Sequence, residues 1–178
     1  KAELKSALGE GEDDNGADAD VLIAYFRLPN LDEAEQTDIR ARVQKSIDEY
    51  REGMKTGDEA LKTADSEAEK QQALIYIALE CNQFAWLVSN TFGDFEAAAK
   101  ASHRSLEIKP EEGGYWDTLG RCYYAKGDLE GSIKHQQHAV KLQPHSGLEG
   151  SLTSWNVGAT AAGVGLAGRP PDAPDAFW

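Results

Sequence analysis

His135 and His138 stand three residues apart in the segment HQQH, and on a helix two imidazoles at i and i+3 could share a metal ion. No acidic or thiol third ligand follows at a matching spacing, and His103 and His145 lie elsewhere in the chain. Solvated surface histidines are the simpler reading. Cys122 could serve as a nucleophile beside a histidine, but no local signature of such an enzyme surrounds it. Acidic pairs such as Asp13–Asp14 lie in polar runs that read as solvated, so no acid–base pair stands out. There is no GxGxxG, P-loop or GxSxG segment. Catalysis is not indicated, and no cofactor or bound metal is expected.

The elements that would position side chains are all helical. Residues 1–8 (KAELKSAL) read as the end of an amphipathic helix, and an acidic loop follows to residue 17. This suggests the tail of a truncated upstream unit. Asp18 or Asp20 can cap a helix that places Val21, Leu22, Tyr25 and Leu28 on one face, and Pro29 stops it. A longer helix is expected from about Asp32 to Lys55. Its Ile39, Val43, Ile47, Tyr50 and Met54 recur at steps of four, four, three and four, which makes one buried stripe. Gly57 is expected to break or bend it, with a loop or one more helical turn over 58–65. Ser66 and Glu69 form a capping box. From there a helix can run to about Asn90 with Ile75, Leu79, Asn82 and Trp86 along one side. No alternating apolar run is bounded by turns, so the class is all-α.

Composition narrows the partners. The 178 residues carry a formal net charge of −13, which opposes binding to a phosphate backbone or an anionic membrane surface. The acid is uneven: residues 1–78 hold 19 acidic side chains against 10 basic, and residues 79–146 hold 9 against 7. A partner docking on the second half need not be strongly basic. Cys81 and Cys122 lack metal-ligand or disulfide-framework spacing and read as buried thiols, which mildly favours a reducing, cytoplasmic setting. No apolar run is long enough for a membrane span.

Residues 93–110 repeat 34 positions later. Gly93/Gly127, Asp94/Asp128, Glu96/Glu130, Lys100/Lys134 and Pro110/Pro144 are five identities in 18 pairs, where roughly one is expected from average residue usage. Phe95/Leu129, Ala98/Ser132, Leu106/Val140 and Ile108/Leu142 keep their chemistry. Gly-Asp suits a tight turn between antiparallel helices, because Gly accepts positive φ and Asp caps the helix that follows. Ala98 and Ser132 let paired helices approach closely, and the prolines end each second helix. Trp116, Leu119, Gly120 and Tyr123 fall at i, i+3, i+4 and i+7, on one helical face.

With these residues the sequence resembles the tetratricopeptide repeat family, whose pattern is W-x2-L-G-x2-Y followed by Gly, a small residue, an aromatic, Ala and Pro. A unit at 113–146 matches through Trp116, Leu119, Gly120, Tyr123, Gly127, Ser132, Ala139 and Pro144. It departs at Gln136, where the family prefers an aromatic, so looser packing is expected there. A unit at 79–112 matches through Gly93, Ala98, Ser105 and Pro110, while Asn82, Ala85 and Trp86 replace the usual Trp, Leu and Gly. The resemblance implies an antiparallel helix-pair solenoid, a right-handed superhelix, with two repeat units inside 66–146. The pair at 18–65 would be a possible degenerate repeat. Residues 147–178, with six glycines and three prolines, would be a flexible C-terminal tail with at most a short cap from Leu148 to Trp155.

The resemblance also implies a function, that of an adaptor or scaffold binding a protein or peptide in a concave groove lined by the first helix of each unit. Carried over by position, the groove residues are Gln83, Leu87 and Asn90 from the first unit and Asp117, Arg121 and Tyr124 from the second. Asp117 and Arg121 are also an i, i+4 pair, so a plain surface ion pair is the competing reading. Family members that grip a peptide's C-terminal carboxylate use Lys, Asn and Arg at positions that here hold Gln83, Leu87 and Thr118 among others. That mode is not expected. The alternatives are a regulatory or assembly domain of a larger enzyme and a self-association module acting through the C-terminal face, with Trp155, Phe177 and Trp178 as possible anchors.

Overall fold

The computed structural model describes residues 19–143. The expected N-terminal helix end, the Asp18 cap, Pro144, His145, and the expected short cap and tail lie outside the described residues. Within them the chain is all-helical, with six helices and no strand: α1 (Ala19–Phe26), α2 (Glu33–Thr63), α3 (Glu67–Asn90), α4 (Phe95–Ile108), α5 (Gly113–Ala125) and α6 (Leu129–Leu142). Each consecutive pair from α2 onward packs together, and α3 also packs on α5 and α1. This is the stacking of a helical-repeat fold of the tetratricopeptide type.

Local chemistry sets the helix ends. The Ser66–Glu69 box forms as read from the sequence, with Glu69 N donating to Ser66 Oγ at 3.2 Å and Ser66 N to Glu69 Oε2 at 3.0 Å. A second box, Asp32–Glu35, starts α2 and was not anticipated. Both Gly-Asp turns take the expected form. Gly93 and Gly127 have φ of 126° and 83°, and Asp94 and Asp128 accept from Ala97 N and Gly131 N at 2.9 and 2.8 Å.

Two expectations are corrected. Helix α2 does not break at Gly57 but runs on to Thr63. Gly53 and Gly57 are buried where α3 crosses. A Cβ on Gly57 would stand 2.5 Å from Ile77 Cγ1, and one on Gly53 would stand 2.2 Å from Glu80 Oε2. The glycines are contact points, not breakers. The stripe assigned to α3 is also wrong in its first half: Ile75 and Leu79 are 42% and 45% exposed. The buried set is Ala73, Ile77, Ala78, Cys81, Phe84, Ala85, Leu87 and Val88. A helix touched by α1, α2, α4 and α5 is apolar over most of its circumference, so the period alone does not pick its inner face.

Helix α1 is eight residues long, too short to persist alone. Leu22, Ile23 and Tyr25 bury it. Two polar ties fix it along α3: Trp86 Nε1 donates to Asp20 Oδ1 at 2.8 Å, and Arg27 Nη2 donates to Asn90 Oδ1 at 2.6 Å. These ties run in the same order along both helices, so α1 and α3 point the same way.

A candidate peptide-binding face

Helices α1, α3 and α5 lie side by side, and the six residues expected to form a groove come from α3 and α5. Their environments differ widely. Leu87 has no exposed surface and supports the face from beneath. Asn90 is buried and used in structure, its Nδ2 donating to Trp86 O at 2.9 Å while its Oδ1 receives Arg27. Gln83, Asp117 and Tyr124 are half-buried. Arg121 is buried with its guanidinium 4.8 Å from the centre of the Tyr124 ring, a cation–π contact.

Asp117 and Arg121 are therefore no surface ion pair. Burial raises the Asp117 carboxyl pKa, against the hydrogen bond it receives from Gln136 and the attraction of Arg121. One of its oxygens, Oδ1, is buried without a hydrogen-bond partner. Burial likewise pulls Arg121 down to about 10, and the nearby positive charge of Arg27 adds to that effect. Gln136, expected to leave loose packing, is fully buried. Its amide has taken the place of an aromatic ring and faces a carboxylate instead.

Arg27 was missed in the sequence. It follows the last residue of α1, 63 positions from Asn90, and also gives its Nε to the Asn90 carbonyl at 3.3 Å. Nothing local marks it as a partner of α3 or α5.

The histidines gather on another part of the molecule. His138 and His135 lie against Trp116, with ring centres 4.3 and 5.7 Å away. His135 also packs on Tyr123 at 4.8 Å and sits 6.4 Å from His103, whose Nε2 is 3.3 Å from Tyr123 Oη. Trp116 Nε1 donates to Pro110 O at 2.7 Å. The cluster joins α4, α5 and α6 by ring packing. Among the described residues no group of three or more His, Cys, Asp or Glu side chains could hold a metal ion. Cys81 and Cys122 are free and buried, and burial pushes their thiols up to about 11 and about 12.

Helices α5 and α6 pack against each other across the Gly127 turn. Residues 113–146 match the family model for the tetratricopeptide repeat. That unit is similar to a tetratricopeptide repeat. The match covers no other part of the chain, and α3 packs on α5 of the matched unit. No curated protein and no solved structure matches the chain. A tetratricopeptide repeat points in general to a protein–protein interaction module, and repeats of this family are typically non-catalytic. No described helix is long and apolar enough to cross a membrane.

Proposed function

We propose that the chain is an adaptor or scaffold module that binds a peptide or protein segment along the face of α1, α3 and α5. The observation that carries this reading is the match of residues 113–146 to the tetratricopeptide repeat model, in a helix pair that packs on α3 and α4. Helices α1 and α2 would stand as a degenerate third unit, the short α1 lying beside α3 as α3 lies beside α5. In this arrangement Gln83, Asp117 and Tyr124 touch the ligand, and Leu87 and Asn90 shape the surface beneath it. Self-association through the C-terminal face would draw on residues beyond 143. The described outward side of α6 offers Glu130, Lys134, Gln137 and Lys141, all exposed, which does not favour an apolar joint.

A photo-crosslinking amino acid placed at Tyr124, or at exposed Leu129 on α6 as a control, tests the face. In source-cell lysate, the Tyr124 position should give a discrete crosslinked protein that the Leu129 position does not. Crosslinks at Leu129 alone would place the interaction elsewhere.

A further inference from the structure

Four large apolar side chains are exposed among the described residues, and three of them, Ile75, Tyr76 and Leu79, lie close together on α3. Ile75 and Leu79 belong to a stripe: with Asn82 and Trp86 they stand at i, i+4, i+7 and i+11, on one face of the helix. Helix α1 lies along the second half of that face. Its Asp20 accepts from Trp86, Arg27 just after it reaches Asn90, and its Leu22, Ile23 and Tyr25 are buried. The stripe is therefore half covered. Beyond Trp86 the cover stops, and Ile75 and Leu79 stand 42% and 45% exposed.

Because α1 and α3 point the same way, Ala19 is the end of α1 nearer to Leu79 and Ile75. At the helical rise per residue, Leu79 lies ~10 Å and Ile75 ~16 Å along α3 from Trp86. Residues 9–18 hold five acidic side chains and no apolar one larger than that of Ala17, so they do not suit an apolar stripe. Fully extended, a segment of that length spans up to ~33 Å, which brings Leu8 within reach of the bare half. In the preceding KAELKSAL, Leu4 and Leu8 fall at i and i+4, the same spacing as Ile75 and Leu79.

We propose that residues 1–8 of this chain dock on the bare half of the α3 stripe, with Leu4 and Leu8 against Ile75 and Leu79. A contact of two leucines on two apolar residues is far smaller than a stable interface between separate molecules. The tether through residues 9–18 changes that balance, because it holds the segment at an effective concentration of about millimolar. The same link makes this segment a better occupant than a second copy, which gains no such advantage. The contact lies within the chain and does not depend on a bound peptide.

The test places a photo-crosslinking phenylalanine analogue at Leu79 of the purified whole chain, an exposed position where the fold should tolerate it, as far-UV circular dichroism verifies. Cleavage before aspartates frees residues 1–12 and residues 65–93 as separate peptides, so mass spectrometry reads their joining directly. Illumination should join these two within one chain, with a yield that dilution does not change. Leu4→Gln/Leu8→Gln, which removes the apolar pair and keeps helix propensity, should cut that yield about tenfold or more, the scale set by losing the burial of two leucines. Ala2→Gln/Ser6→Gln, on the opposite side of the same turns, should leave it unchanged. A yield that survives Leu4→Gln/Leu8→Gln would show random contact of a tethered segment and overturn the proposal. So would crosslinks to residues 144–178 in place of 1–12, or no crosslink at all. A chain-to-chain product that grows with concentration would overturn it in favour of a second copy.

Discussion

Gly53 and Gly57 lie one helical turn apart on α2, both buried against α3, and the same substitution should have opposite effects at the two positions. Replacing a mid-helix glycine by alanine gains about 0.5–1 kcal/mol from restricted backbone freedom in the unfolded chain. At Gly57 the new methyl would stand 2.5 Å from Cγ1 of Ile77 and 3.2 Å from a ring carbon of Tyr76. Ile77 is fully buried and has no room to retreat. Overpacking of this kind costs about 1–3 kcal/mol, so Gly57→Ala should lose on balance about 1 kcal/mol. That corresponds to a fall in Tm of roughly 3–6 °C. At Gly53 the obstacle is the carboxylate end of Glu80, 2.2 Å from the added atom. Burial already disfavours the Glu80 charge and raises its pKa, so swinging the carboxylate toward water costs little. Gly53→Ala should therefore be neutral or stabilising by up to about 1 kcal/mol. Urea denaturation followed by circular dichroism at 222 nm measures both. In a double-mutant cycle, Ile77→Ala should make Gly57→Ala less harmful than it is alone, because the methyl enters the vacated space. Equal signs at the two glycines, or strict additivity with Ile77→Ala, would refute the close-contact account of α2 on α3.

Three further outcomes follow from the titratable groups. Burial, with the nearby His103, Lys134 and His138 outweighing Asp128, lowers the His135 pKa below its ordinary 6.5. The folded state thus resists its protonation: stability is full above about pH 6.5 and is lost as pH falls through the folded pKa. The urea midpoint should drop from pH 7.5 to 5.5, and His135→Gln should flatten that drop; an unchanged slope would refute it. The Asp117 carboxyl is raised instead, so its charge opposes folding at neutral pH and ceases to matter near its unfolded value of 3.8. Asp117→Asn should raise the urea midpoint at pH 7 and leave it unchanged near pH 3, whereas destabilisation at pH 7 would contradict the burial account. Cys81 and Cys122, with no exposed surface, should react with Ellman's reagent only as fast as the fold opens; rapid labelling without denaturant would refute their burial.

The parts of the fold legible in the sequence are those set by neighbours in the chain. The Gly-Asp turns, the Ser66 cap and the 34-residue period each involve residues within a few positions, and their geometry follows from φ preferences and one or two hydrogen bonds. What sequence misread depends on which helix lies where. Gly57 has the composition of a helix breaker, and only the approach of Ile77 makes it a packing residue. Ile75 and Leu79 look like core at helical spacing, but the eight residues of α1 meet α3 near Trp86 and Asn90, a few turns further along.

The candidate site shows the same division with a chemical consequence. Gln83, Leu87, Asn90, Asp117, Arg121 and Tyr124 were chosen by their place in a repeating unit, which fixes direction but not depth. Leu87 and Asn90 belong to the interior because α1 covers that end of α3, and Arg27 reaches the Asn90 amide from the turn just after α1. Arg121 sinks beside Asp117, and Asp117 meets Gln136 where an aromatic was expected. An aromatic at position 136 would offer no hydrogen bond to a buried carboxylate, and Asp117 without a donor would be costly. Asp117 and Gln136 are thus explained together, as one polar contact between α5 and α6. That contact fixes Asp117, whose charge in turn favours that of buried Arg121 one turn along α5. The departure from the family pattern at Gln136 is therefore tied to the burial of Asp117, and the two should be tested in one series of variants.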